Sequence, residues 1–181
     1  MIGAGLAKAA IAFEVNGQQR DLSDTVEEDS SISIFTIDSD EGLEIMRHTV
    51  AAQVLARAIK NLYPKAKLAI GPTIENGFYY DFAREEAFTP EDLDQIEARM
   101  KEIVKRNEKI EREVWDRTEA IDYFNGIGEA YKAEIIADLP EGEPITAYRQ
   151  GDFVDLCRGP HLPSTGILRD GFKLTKLAGA Y

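Results

Sequence analysis

The chain has 181 residues, 44% apolar and 30% charged, and its 21 Lys and Arg against 33 Asp and Glu give a net charge of −12. This composition excludes wholesale disorder, the single cysteine excludes an internal disulfide framework, and no apolar run approaches the ~18 residues of a membrane span. A body so acidic repels polyphosphate in general, so any action on a nucleic acid is expected at one end of it, with another module doing the holding.

Met1 to Ala10 is too short and too weakly charged for a secretory signal peptide. Ile11 to Val15 reads as a strand, Asn16-Gly17 as a two-residue hairpin turn, and Gln18 to Asp21 as its polar return. Ser30 to Ile37 alternates, which predicts a strand turning Ile32 and Ile34, with Phe35 or Ile37, to a core. Ser39, Asp40 and Glu41 open a helix whose apolar stripe is Leu43, Met46, Val50, Val54, Ala58 and Leu62, ended by Pro64. Leu68 to Ile70 and Phe78 to Phe82 read as strands around the Glu75-Asn76-Gly77 turn. Thr89, Pro90, Glu91 and Asp92 start a second long helix with Leu93, Ile96, Met100, Ile103 and Val104 inward. A strand over 110–115, a short helix capped by Thr118, a helix over 128–137, strands over 145–148 and 152–156, and a last strand over 171–177 complete the pattern. Helices and strands alternate irregularly at hairpin-like spacing, which predicts an α+β fold with a largely antiparallel sheet.

Chemistry-bearing residues concentrate in Asp155-Leu156-Cys157-Arg158-Gly159-Pro160-His161. A carboxylate, a thiol, a guanidinium and an imidazole lie within seven residues, on a loop bent by Gly-Pro. Metal ligation, a Cys–His nucleophile pair and a polar site that positions a water all suit such a cluster, as does a buried cysteine beside a surface loop. One Cys-x3-His falls short of the three or four protein ligands of a zinc site. The other histidine, His48, lies in the first long helix, where the positions one turn on are Ala51 and Ala52. Gln53 is turned about 140° away on a regular helix, and only a π-bulge would swing it back. Phe78, Tyr79 and Tyr80 suit the wall of a pocket that stacks on a base, or ordinary strand packing. Lys132 suits a phosphate or carbonyl contact, or a solvated helix position.

Taken together, KLAIGPTIENGFYYDF (Lys67–Phe82), FTPEDLDQIEARMKEIVKRN (Phe88–Asn107), GEAYKAEII (Gly128–Ile136), DFVDLCRGPHLPSTG (Asp152–Gly166) and FKLTKLAGAY (Phe172–Tyr181) resemble the amino-terminal editing region of bacterial threonyl-tRNA synthetases. The resemblance covers about residues 40 to 181, and residues 11–37 look like the end of the β-grasp module that precedes that region. It implies two parts: 1–38, the C-terminal remnant of a small β-grasp (TGS-like) module, and 39–181, the editing (second additional) domain. The class II core that charges tRNA in the family is absent, so no aminoacylation is expected. The implied activity is hydrolysis of the aminoacyl ester of mischarged seryl-tRNA(Thr), in the cytoplasm. The implied partners are the 3′ end of that tRNA and the rest of the synthetase, with no membrane or DNA.

Matched onto the family's motif, the loop pair is Cys157 and His161, the aspartate is Asp155, the lysine is Lys132 and the tyrosine is Tyr80. Lys132 and His161 are expected to handle water and protons, with Asp155, Cys157 and His48 completing the catalytic set. Tyr80, Tyr79, Gln53 and Arg158 are expected at the substrate. The family's helix carries an Arg-His pair and a second histidine four residues on. Here Arg47-His48 is followed by Ala52 and Gln53, with one extra residue before Lys60 and no second histidine. At most three ligands of the related zinc-binding alanyl editing domains survive, so no metal and no cofactor are expected. The altered helix leaves one alternative, a non-catalytic module that binds the acceptor arm; likeness to the alanyl editing domain gives another, a zinc-dependent aminoacyl-tRNA hydrolase.

Overall fold

The computed structural model describes residues 2–179. A short exposed helix, α1 (Ala4–Ala9), precedes three strands, β1 (Ala10–Val15), β2 (Gln18–Asp21) and β3 (Ile32–Thr36), in antiparallel order β2-β1-β3. Asn16 and Gly17, both at positive φ, make the predicted two-residue turn. The face expected for β3 is corrected. Phe35 is buried, whereas Ile32 and Ile37 are exposed and Ile34 is half-buried. The pleat presents only Phe35 to the helices behind the sheet, so a strand rich in isoleucine buries its one phenylalanine instead.

Ser39 caps the next helix by accepting from the Gly42 N–H, and acids fill its first turn. The helix is not regular. Asp40–Thr49 is α-helical (α2), Val50–Leu55 is a π-helix, and Ala56–Leu62 (α3) is α-helical again. A π-helix bonds i to i+5 and so turns less per residue than an α-helix. The apolar stripe extrapolated back from Val50, Val54 and Ala58 therefore misses the buried face of α2. That face is Gly42, Ile45 and Thr49, and Leu43 is exposed.

Four short strands follow: β4 (Lys67–Leu68), β5 (Thr73–Ile74), β6 (Gly77–Phe78) and β7 (Phe82–Ala83), paired β4-β7 and β5-β6. The continuous aromatic strand expected over 78–82 is thus interrupted at Tyr79-Tyr80-Asp81. The helix α4 (Pro90–Lys105) begins on a capping box between Thr89 and Asp92, as its sequence requires, and buries Ile96, Met100, Ile103 and Val104. Next come β8 (Glu111–Trp115), α5 (Arg117–Gly126), α6 (Ala130–Asp138), β9 (Ile145–Gln150) and β10 (Phe153–Leu156). Asp116, not Thr118, caps α5: its carboxylate accepts from the Thr118 and Glu119 N–H groups. The strands β10-β9-β8 form an antiparallel sheet. A 3₁₀ turn over Thr165–Leu168 follows, and residues 171–177 are irregular rather than a strand.

The fold is therefore α+β with antiparallel sheets. Its main core joins Ile11, Ala12 and Phe35 of the first sheet to Ile45, Val54 and Ile59 of the long helix and to Met100 and Ile103 of α4. Arg57, buried on α3, donates to Glu108, to Gln150 at 2.9 Å and to Asp152 at 2.6 Å, and so ties the long helix to the β9–β10 hairpin. Among the described residues no helix is long and apolar enough to cross a membrane.

Candidate active site

One cavity of about 580 Å³ lies where the last turn of α2, the first turn of α6, the end of β10 and the 69–73 segment meet. His48, Ala52, Tyr80, Lys132, Asp155 and Cys157 line it. The backbone arranges this without long-range accident. The β9–β10 hairpin delivers Asp155 and then Cys157, and α6 starts one residue after Glu129, so Lys132 sits in its first turn. Tyr80 packs against Gly71, where an added Cβ would stand 2.2 Å from the ring. Tyr80 also stacks on Phe82 at 4.5 Å.

Lys132 and Asp155 form a buried ion pair, at 5% and 3% exposure. The Asp155 carboxylate also accepts from the Leu156 N–H at 2.8 Å. Burial pushes this carboxyl up, and the Lys132 ammonium pulls against that shift. Nearby, the buried Glu129 accepts from Lys60 at 2.7 Å.

The imidazoles are coupled. His48 Nε2 lies 3.1 Å from Cys157 Sγ, and the His48 ring stacks on His161 with centroids 4.5 Å apart and planes 10° from parallel. His161 is 1% exposed and lies behind His48 rather than on the cavity wall. Burial lowers both histidines, His161 furthest, so both are neutral near pH 7. Burial also pushes the Cys157 thiol up to about 11. With no imidazolium beside it, the thiol keeps its proton near neutrality, which argues against a thiolate nucleophile.

Hydrogen-bond bookkeeping fixes the His161 tautomer. Thr49 Oγ1 donates its one proton to the Ile45 carbonyl at 2.8 Å and accepts from the Leu162 N–H at 3.1 Å. Its 3.2 Å contact with His161 Nδ1 must therefore be donated by the ring. The Nε2 atom is left as a bare acceptor, buried and without a partner among the described residues.

The structure thus gathers His48, Tyr80, Lys132, Asp155 and Cys157 on one cavity with His161 behind them. It does not bring the other expected residues there. Gln53 is fully buried and faces Gln150, whose Nε2 donates to Gln53 Oε1 at 3.3 Å. Tyr79 is 46% exposed, and Arg158 is exposed and pairs with Glu143 at 2.7 Å. Asp21, Tyr148 and Glu129 also surround the site, although no sequence signal beyond an acid closing a hairpin marks them out.

One nitrogen of each histidine and the Cys157 sulfur lie within 4.8 Å of one another, and no further His, Cys, Asp or Glu joins them among the described residues. These three are the residues that could hold a metal ion.

Against known families, residues 145–179 match the model of the threonyl and alanyl tRNA synthetase second additional domain. The segment holds β9, β10 and the Cys157–His161 loop. Over 99% of its length the chain is 56% identical to the threonine--tRNA ligase of Parvibaculum lavamentivorans. It is 59% identical to those of Rhodospirillum rubrum and Azoarcus sp. over the same share. It spans 28% of the length of these relatives. The sequence fits an amino-terminal fragment of a bacterial threonyl-tRNA synthetase.

Proposed function

We propose that this chain is the editing part of a threonyl-tRNA synthetase and hydrolyses the aminoacyl ester of seryl-tRNA(Thr). The observation that carries this reading is the convergence of His48, Lys132, Asp155 and Cys157 on one cavity, in a chain similar along 99% of its length to threonine--tRNA ligases. The need for such a site is physical. Serine lacks one methyl of threonine, and a missing methyl is worth only ~1–3 kcal/mol in a synthetic site. A second, tighter site rejects threonine sterically and admits serine.

In this reading, water adds to the ester carbonyl and the bond from that carbon to the terminal ribose oxygen breaks. Serine leaves, and the ribose oxygen takes up a proton. The Lys132 ammonium, held by Asp155, donates to the carbonyl oxygen as it gains negative charge. His48, neutral and on the cavity wall, accepts the proton of the attacking water. His161 backs His48 rather than touching substrate, and Cys157, protonated, fixes the His48 ring. Tyr80 provides the wall for the terminal adenosine. The acidic surface suits a module that reads only this end of a tRNA gripped elsewhere in the synthetase, in the cytoplasm. Residues 1–38 are read as the remnant of the preceding β-grasp module.

No ion is required for this route, and three donors fall short of the four of a structural zinc. The clustering of those donors within 4.8 Å, with His161 Nε2 unpartnered, is the observation favouring a second reading, a metal-assisted hydrolase. Hydrolysis of preformed seryl-tRNA(Thr) tests the first reading. Lys132→Ala and His48→Ala should each lower the rate by at least about a hundredfold, the scale of losing one general acid–base group. Unchanged rates in both variants, or loss of activity only on chelation, would remove it.

A further inference from the structure

Asp21 closes the N-terminal hairpin, two residues after the cavity-lining Gln19 and outside the matched segment 145–179. It is nonetheless 7% exposed, and its carboxylate makes two contacts behind the site. Oδ2 accepts from the Tyr148 hydroxyl at 2.6 Å, and Oδ1 accepts from the His161 backbone N–H at 2.9 Å. Tyr148 in turn meets the His161 ring edge-on, with centroids 4.5 Å apart and planes at 87°. The same tyrosine fills the space beside Gly159, whose φ is +71° and where a Cβ would lie 1.8 Å from the hydroxyl. One carboxylate therefore fixes both the main chain of the Cys157–His161 loop and the aromatic wedge that sets its curvature.

The opposite side of His161 is held by Thr49, which receives the ring's Nδ1–H. A ring clamped at its backbone by Asp21, at its edge by Tyr148 and at Nδ1 by Thr49 has one tautomer and one plane available. That plane is the one on which His48 stacks.

We propose that Asp21 is a positioning residue of this site: acting with Tyr148, it pins the backbone at His161 so that the ring meets Thr49 and supports His48. The N-terminal hairpin is then a working part of the site. The catalytic consequence rests on the editing reading above, whereas the clamp itself does not.

The test uses the full chain with Asp21→Asn, Tyr148→Phe and, as a control, Asp24→Asn, which removes a nearby carboxylate that touches neither Tyr148 nor His161. Nitrogen-15 NMR of the imidazoles and of the His161 amide reads the clamp directly. Wild type should show His161 as a single Nδ1-protonated ring. In Asp21→Asn and Tyr148→Phe the His161 amide and both imidazoles should shift or become heterogeneous, and Asp24→Asn should leave them in place. On seryl-tRNA(Thr), kcat should fall about tenfold to a hundredfold in the first two variants with KM within about twofold, as displaced catalytic geometry does.

Unchanged histidine resonances in folded Asp21→Asn and Tyr148→Phe would overturn the proposal. Should Asp21→Asn fail to fold, Tyr148→Phe, which keeps the ring, decides alone. A wild-type chain without deacylase activity but with the expected NMR changes would refute the editing reading and leave the clamp standing.

Discussion

Lys132→Met leaves Asp155 as a buried carboxyl, 3% exposed, with only the Leu156 N–H still donating to it. Breaking a buried pair in this way costs about 3–5 kcal/mol. Without its ammonium the carboxyl loses the charge that pulls it down, and burial raises it further. The sign follows from linkage. A carboxyl raised above its unfolded value leaves stability intact below about 3.8 and removes it as pH climbs toward the folded value. Urea unfolding of wild type and variant between pH 4 and 7 should therefore show a gap that is small at pH 4 and widens to several kcal/mol at pH 7. The double variant Lys132→Met with Asp155→Leu should recover most of it, since an apolar pair of similar volume carries no desolvation cost. A gap below about 1 kcal/mol at pH 7, or one independent of pH, would refute the buried ion pair and with it the role given to Lys132.

Alkylation of Cys157 in the folded chain should inflect near pH 11, against about 9 in urea, and an inflection below 9 would mean that His48 stabilises a thiolate. The same raised thiol makes its share of stability complete below pH 9 and lost on rising toward 11. Gly159→Ala sets a Cβ 1.8 Å from the Tyr148 hydroxyl on a left-handed backbone, so calorimetry should show a stability loss of about 1–3 kcal/mol or more. Arg149 holds the Glu113 carboxyl low, so its contribution is present above pH 4.5 and lost as the medium acidifies below that; Glu113→Gln should flatten that part of the urea-stability profile.

Much of the scaffold is legible in the sequence because it is written in local signals. Asn16-Gly17 makes its hairpin, Thr89 to Asp92 makes its capping box, and the α4 stripe is buried as spaced. The Cys157–His161 loop is legible for the same reason, being a dense polar cluster around Gly-Pro. The errors fall where tertiary packing overrides a local rule. Alternation in β3 names a face but cannot say which face is covered, and Ile32 proved exposed. Leu43 has the right α-helical spacing, but the π-helix over Val50–Leu55 offsets the stripe behind it. That insertion also separates His48, which reaches Cys157, from Gln53, which stays in the core with Gln150. The second layer of the site was illegible altogether. Asp21, Thr49 and Tyr148 reach one another and His161 through hydrogen bonds spanning 112 to 140 residues, and no periodicity encodes such pairings.

The central claim is that this cavity admits a seryl ester and refuses a threonyl one. Calorimetric titration of the chain with a non-hydrolysable seryl-adenosine analogue, and with its threonyl twin, tests it without the rest of the synthetase. The seryl analogue should bind, and the threonyl one at least about tenfold more weakly, the scale of a methyl group that must be excluded. Equal binding of both, or binding of neither, would contradict it.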